Sequence, residues 1–130
     1  MPFMRFTTTK TLTLKQEKAL KESAGKFISI LPNKKEEQLM IHIEDNQVMY
    51  FKGKEMDCMK IECQLFHHIE ISYKQEFVKA MMNEIEMITK IPVSHQYMTI
   101  DEYDNWGVKM ENLLRSQILT SFFVKKYCNN

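Results

Sequence analysis

KQEKALKESAGKFISILPNKKEEQLMIHIE (15–44) and KQEFVKAMMNEIEMITKIPVSHQYMTIDE (74–102) run in parallel along this chain. Lys15-Gln16-Glu17 returns as Lys74-Gln75-Glu76, Leu31-Pro32 as Ile91-Pro92, and Gln38-Leu39-Met40 as Gln96-Tyr97-Met98. The offsets stay close to 59 residues, a period about half the length of a small domain. In the first copy Leu20, Ala24, Phe27, Ile28 and Leu31 fall at helical spacing. In the second, Phe77, Val78, Met81, Met82, Ile85 and Ile88 mark one helical face. Each helix is expected to stop before its proline, which disfavours helical geometry in the preceding residue.

Strands flank both helices. PFMRFTT (2–8) is short and rich in aromatic and β-branched residues, and CMKIECQLFH (58–67) alternates as a strand does. Thr13 with Gln16, and Ser72 with Gln75, have capping-box spacing ahead of the two helices. QLMIHIE (38–44) suits a largely buried strand, and QYMTIDE (96–102) closes the second unit. Asp45-Asn46 signals a turn, after which VMYF (48–51) is predicted to return as a short strand before Lys52-Gly53. A crossover helix joining two parallel strands covers one sheet face. Two such units, at about 2–50 and 57–102, predict an α+β sandwich: a four-stranded sheet with both helices on one face. A ferredoxin-like sandwich shares this periodicity.

The 130 residues suffice for one domain with a modest core. A net charge of +1, with both signs interspersed, gives no electrostatic pull toward nucleic acid or an anionic membrane. No apolar run has membrane-spanning length, and MPFMRFTTTK lacks a signal-peptide core, so a cytoplasmic protein is expected. Cys58, Cys63 and Cys128 have no metal-ligand spacing, and Cys58 and Cys63 are expected on opposite strand faces, as buried thiols. His67 and His68 are adjacent rather than spaced to share one metal.

Three stretches together resemble the tautomerase superfamily, in its branch around macrophage migration inhibitory factor and phenylpyruvate tautomerase. They are Met1-Pro2 leading directly into a strand, ILPNKKEEQLMIHIEDNQVMYFKG (30–53), and QYMTIDEYDNWG (96–107) with its Asn-Trp-Gly turn. The likeness spans residues 2–108. It implies a homotrimer enclosing a central channel, with active sites at subunit interfaces and no metal or organic cofactor. It further implies keto–enol tautomerisation of small aryl 2-keto acids such as phenylpyruvate. Pro2, freed by removal of Met1, would be the general base and acid, since an amine tuned near neutral pH can accept and return a proton. Lys34 matches the family lysine that holds the substrate carboxylate; Lys35 offers a neighbouring register, and a solvated loop is the alternative. Phe66 matches a position that contacts substrate through its backbone N–H. Tyr97 and Thr99 match strand positions reaching into the neighbouring subunit's site.

The chain departs from that pattern in three places. His67 stands where relatives carry glycine, and a positive φ there would strain it. Val108 replaces a second aromatic wall. Finally, residues 109–130 extend past the point where relatives end; Met110, Leu113, Leu114, Ile118 and Phe122 predict an amphipathic helix packed on the subunit surface, over the channel mouth or site, or against a partner. These departures leave room for a non-catalytic binding or signalling trimer.

Overall fold

The computed structural model describes residues 1–108 and 112–115. Four strands form one mixed sheet in the order β2-β1-β3-β4, where β1 is Pro2–Thr8, β2 Met40–Glu44, β3 Met59–Phe66 and β4 Gln96–Tyr103. The pairs β1/β2 and β3/β4 are parallel, while β1 and β3 are antiparallel. This is what two β-α-β units placed side by side require, with α1 (Leu14–Phe27) and α2 (Ile71–Thr89) as the crossovers. A separate two-stranded ribbon joins β5 (Asn105–Val108) to β6 (Asn112–Arg115).

The alternation of β1 and β3 sorts the sheet into two faces. Met4, Phe6, Met59, Ile61, Cys63 and Leu65 are buried beneath the helices. Leu20, Ala24 and Ile28 of the first helical stretch meet them, as do Phe77, Met81 and Ile85 of α2. The opposite face is polar and open: Arg5 Nε donates to Glu62 at 2.9 Å, and Glu44 and Lys60 extend the charge ladder.

Helix α1 begins as expected. The Thr13 hydroxyl accepts from the Gln16 N–H, and the Gln16 side chain accepts from the Thr13 N–H. Thr13→Ala is expected to lower stability by about 1 kcal/mol, read from the urea midpoint, because it leaves an N-terminal donor without its partner.

Four expectations need correction. The capping box at Ser72 is absent: α2 already starts at Ile71, with Glu70 as its N-cap and no capping side chain. Residues 48–51 do not return as a strand. Asn46 takes φ 55°, and Gln47 N–H donates to the Thr8 carbonyl at the end of β1; beyond it only Phe51 forms a bridge, to Lys54. β2 is a sheet edge rather than a largely buried strand, with Met40 68% exposed. Within the expected helix 109–130, Asn112–Arg115 instead pair with β5; the rest of that stretch lies outside the described residues, as does Cys128. Cys58 and Cys63 are both buried free thiols, and Cys58 immediately precedes β3.

Candidate active site

Where β1 begins, the chain terminus is held between three elements. Pro2 sits opposite Leu65 in the antiparallel ladder, and the Phe66 N–H donates to the Met1 carbonyl at 3.2 Å. The loop after α1 brings Lys34 to the same place. Asn33 takes φ 63° and Lys34 N–H donates to the Leu31 carbonyl, a tight turn that directs one lysine inward. Lys34 is 7% exposed and its Nζ donates to the Phe66 carbonyl at 2.7 Å, whereas Lys35 is exposed. Of the two neighbouring lysines, only Lys34 is buried.

Electrostatics at this corner disfavour positive charge. The Met1 α-amine is lowered from 8.0 to about 6, first by burial and then by the charge and hydrogen bond of Lys34. Burial also lowers Lys34 itself, although its hydrogen bond to the terminal amine and the charge of Glu102 oppose this. Cys63, pushed up to about 12 by burial, stays a thiol and brings no charge.

A cavity of about 610 Å³ opens in front of the terminus, within the size range of small-molecule sites. Met1, Pro2 and Phe3 form its floor, Met40 and Val108 add apolar walls, and Gln38 and Gln64 present amides. Tyr103 and Trp106 form an aromatic corner, their rings edge-on at 6.1 Å between centroids. Sequence reasoning assigned no role to Tyr103, Gln38 or Gln64, and it treated Trp106 only as part of a turn motif. An aromatic at the end of the last long strand, three residues before that tryptophan, was the available signal for Tyr103.

The structure brings Pro2, Lys34 and Phe66 together and leaves Tyr97 and Thr99 apart. Tyr97 stands level with Lys60, while Pro2 stands level with Leu65 and Glu102. Five residues of strand separate those levels, roughly 16 Å. Tyr97 is 65% exposed and stacks edge-on against Phe51 at 5.1 Å. Neither residue reaches the terminus of its own chain.

His67 follows Phe66 at φ 80°, and its N–H donates to the Tyr103 carbonyl at 2.9 Å, tying the ends of β3 and β4 together. Histidine tolerates this region better than most residues, at a cost of order 1–2 kcal/mol. Burial, then Lys34 and His68, lower its pKa and favour a neutral ring. His67→Val should destabilise the protein by about 1–2 kcal/mol in urea unfolding, while His67→Gly folds normally, because a β-branched side chain fits this conformation worst. Among the described residues, no group of three or more His, Cys, Asp or Glu is arranged to hold a metal ion.

The element order, sheet order and terminal corner can be set beside solved structures. Leishmania major MIF2 superposes with a TM-score of 0.78 at 16% identity, over 84% of this chain and 94% of that one. The fold is that of macrophage migration inhibitory factor. A macrophage migration inhibitory factor-like protein of Entamoeba histolytica matches with a TM-score of 0.73 at 17% identity, over 83% and 95% of the two chains. Pt0534, in a form inactivated by 2-oxo-3-pentynoate, matches with a TM-score of 0.74 at 12% identity, over 91% and 99%. No protein-family profile and no curated sequence matches the chain. In this MIF-type fold, no helix of the described residues is long and apolar enough to cross a membrane.

Proposed function

We propose that the chain is a cofactor-independent tautomerase of small aryl 2-keto acids, with Pro2 as the proton carrier once Met1 is removed. The observation that carries this reading is the position of the terminus. It lies at the floor of a small-molecule cavity, and the buried Lys34 ammonium stands beside it. A keto–enol exchange needs one proton moved between the carbon beside the ketone and the enol oxygen. That proton is already labile, so a single tuned amine suffices. In this scheme Lys34 binds the carboxylate. The Phe66 N–H, which now serves the Met1 carbonyl, becomes free to donate to a substrate oxygen. The aryl group packs against Tyr103, Trp106 and Met40.

The full site would be completed in a homotrimer, with Tyr97 and Thr99 entering from a neighbouring subunit. The exposed apolar side chains Met40, Val48, Tyr50 and Tyr97 favour association between copies, since burying them removes apolar surface from water. The structural likeness to Pt0534, a protein inactivated by 2-oxo-3-pentynoate, supports a 2-oxo substrate.

A binding or signalling role without catalysis is the second reading, and the strained His67 beside Phe66 favours it. Phenylpyruvate ketonisation, followed on protein whose intact mass shows Met1 absent, separates the two. Turnover that falls about 10²-fold in Pro2→Ala supports the tautomerase. Turnover unchanged by that substitution removes Pro2 from the chemistry, and no turnover at all favours the binding protein.

A further inference from the structure

Three successive residues follow β3, and each is bonded to one of three successive residues at the end of β4. His67 N–H donates to the Tyr103 carbonyl at 2.9 Å. The His68 ring Nε2 stands 2.9 Å from an Asp104 carboxylate oxygen. Ile69 N–H donates to one Glu102 carboxylate oxygen at 2.6 Å. The other Glu102 oxygen accepts from Lys74 Nζ at 2.9 Å, in the first turn of α2. The Glu102 and Lys74 side chains are only 16% and 18% exposed, so water competes little for this charge-assisted bond.

This clasp lies at the root of the cavity's outer wall. Asp104 is the one residue between β4 and β5. Tyr103 on one side of it, and Asn105, Trp106, Gly107 and Val108 on the other, line the 610 Å³ cavity. Among the described residues β5 pairs with β6 and with no strand of the main sheet, so the ladder that aligns β1 to β4 does not orient this wall. Its direction is set where the chain leaves β4. The floor has separate support, because Lys34 holds the Phe66 carbonyl from the other side.

We propose that Glu102 and Asp104 are positioning residues for the cavity. Through Ile69, Lys74 and His68 they fix the angle at which the Tyr103–Trp106 wall closes over a bound aryl group. Neither residue lines the cavity itself. The inference takes its ligand from the proposed tautomerase, but the placement of the wall is a property of the free chain. The competing account makes Glu102 a remote cap for α2, a helix with no side-chain cap of its own and a terminus that favours a nearby carboxylate. A cap alone would affect stability and leave the wall where it is.

Trp106 is the only tryptophan of the chain, so its fluorescence reports the wall directly. The test measures acrylamide quenching of Trp106 in the full chain, together with phenylpyruvate ketonisation and urea unfolding of the same preparations. In Glu102→Ala the quenching constant should rise about two-fold or more. KM should rise about ten-fold with kcat within about two-fold, because apolar contact with the ring is lost while Phe66 and Lys34 stay in place. Glu102→Gln, whose amide oxygen still accepts from Ile69, should recover most of both effects. Asp104→Ala changes a half-exposed side chain, should shift both readings the same way by less, and serves if Glu102→Ala does not fold. Thr13→Ala loses a cap at the other helix and should leave quenching and KM at wild-type values.

Quenching and KM unchanged in Glu102→Ala and Asp104→Ala, whatever happens to stability, overturn the proposal and leave Glu102 as a cap. An equal rise in Thr13→Ala does the same, since Trp106 would then report stability alone. A wild-type chain that turns over no phenylpyruvate removes the tautomerase reading, and the quenching of Trp106 then decides the clasp by itself.

Discussion

Excising Met1 is expected to raise phenylpyruvate ketonisation by about 10²–10⁴-fold over the Met1 form, the usual contribution of a positioned general base. In the Met1 form the Pro2 nitrogen is an amide, its lone pair delocalised into the carbonyl and useless as a base. The Met1 amine is neutral near pH 7 but does not inherit the role. It stands one residue away, hydrogen-bonded by Lys34, and an offset of even 1 Å at a reacting centre can cost about 10² in rate. Excision also removes the Met1 carbonyl from the Phe66 N–H, leaving that donor free to stabilise charge on the substrate oxygen. The measurement is a pair of progress curves on the two forms, each verified by intact mass. Equal rates would show that the proton travels by another route and that the terminus is structural only.

The fold was legible because both units bury their faces with plain periodicities. Phe77, Met81 and Ile85 recur at helical spacing, and Ile61, Cys63 and Leu65 alternate along β3; all six are buried. The polar side chain of Thr13 announced its helix because it precedes the first turn. Ser72 misled because it lies inside the first turn of α2, where the same side chain caps nothing. Residues 48–51 look like a strand by composition, yet Val48 and Tyr50 are exposed while Phe51 is buried, so the apolar content is divided between the surface and the interior without a place in this sheet. In the site, Pro2 and Phe66 could be placed because strand position fixes them. Lys34 and Lys35 could not be separated, since their burial depends on the positive φ at Asn33. Tyr103 and Gln64 went unnoticed because sheet register, which is non-local, brings them to one cavity, which Gln38 joins from the helical turn before β2.

Replacing Lys34 is expected to be the second most damaging change. Lys34→Met in the excised protein should lower kcat/KM about 10–100-fold, chiefly through KM, because a charge-assisted bond to the substrate carboxylate is worth about 1.5–3 kcal/mol. Loss of the cation also removes a positive charge from the corner where Pro2 lies, and a neighbouring cation disfavours a protonated amine, so the acid limb of the pH–rate profile should move to higher pH. Fold stability should change less than activity. The Phe66 carbonyl loses its partner, a cost of about 1–3 kcal/mol, while a desolvated charge leaves the interior and offsets part of that. Lys34→Arg keeps the charge in a wider, forked head and should recover binding better than it recovers kcat. Steady-state kinetics across pH 5–9, with urea unfolding of the same preparations, distinguishes these effects. A Lys34→Met protein with unaltered KM and an unmoved pH profile would mean that the carboxylate is held elsewhere, and the cation beside the terminus would then have no part in substrate binding.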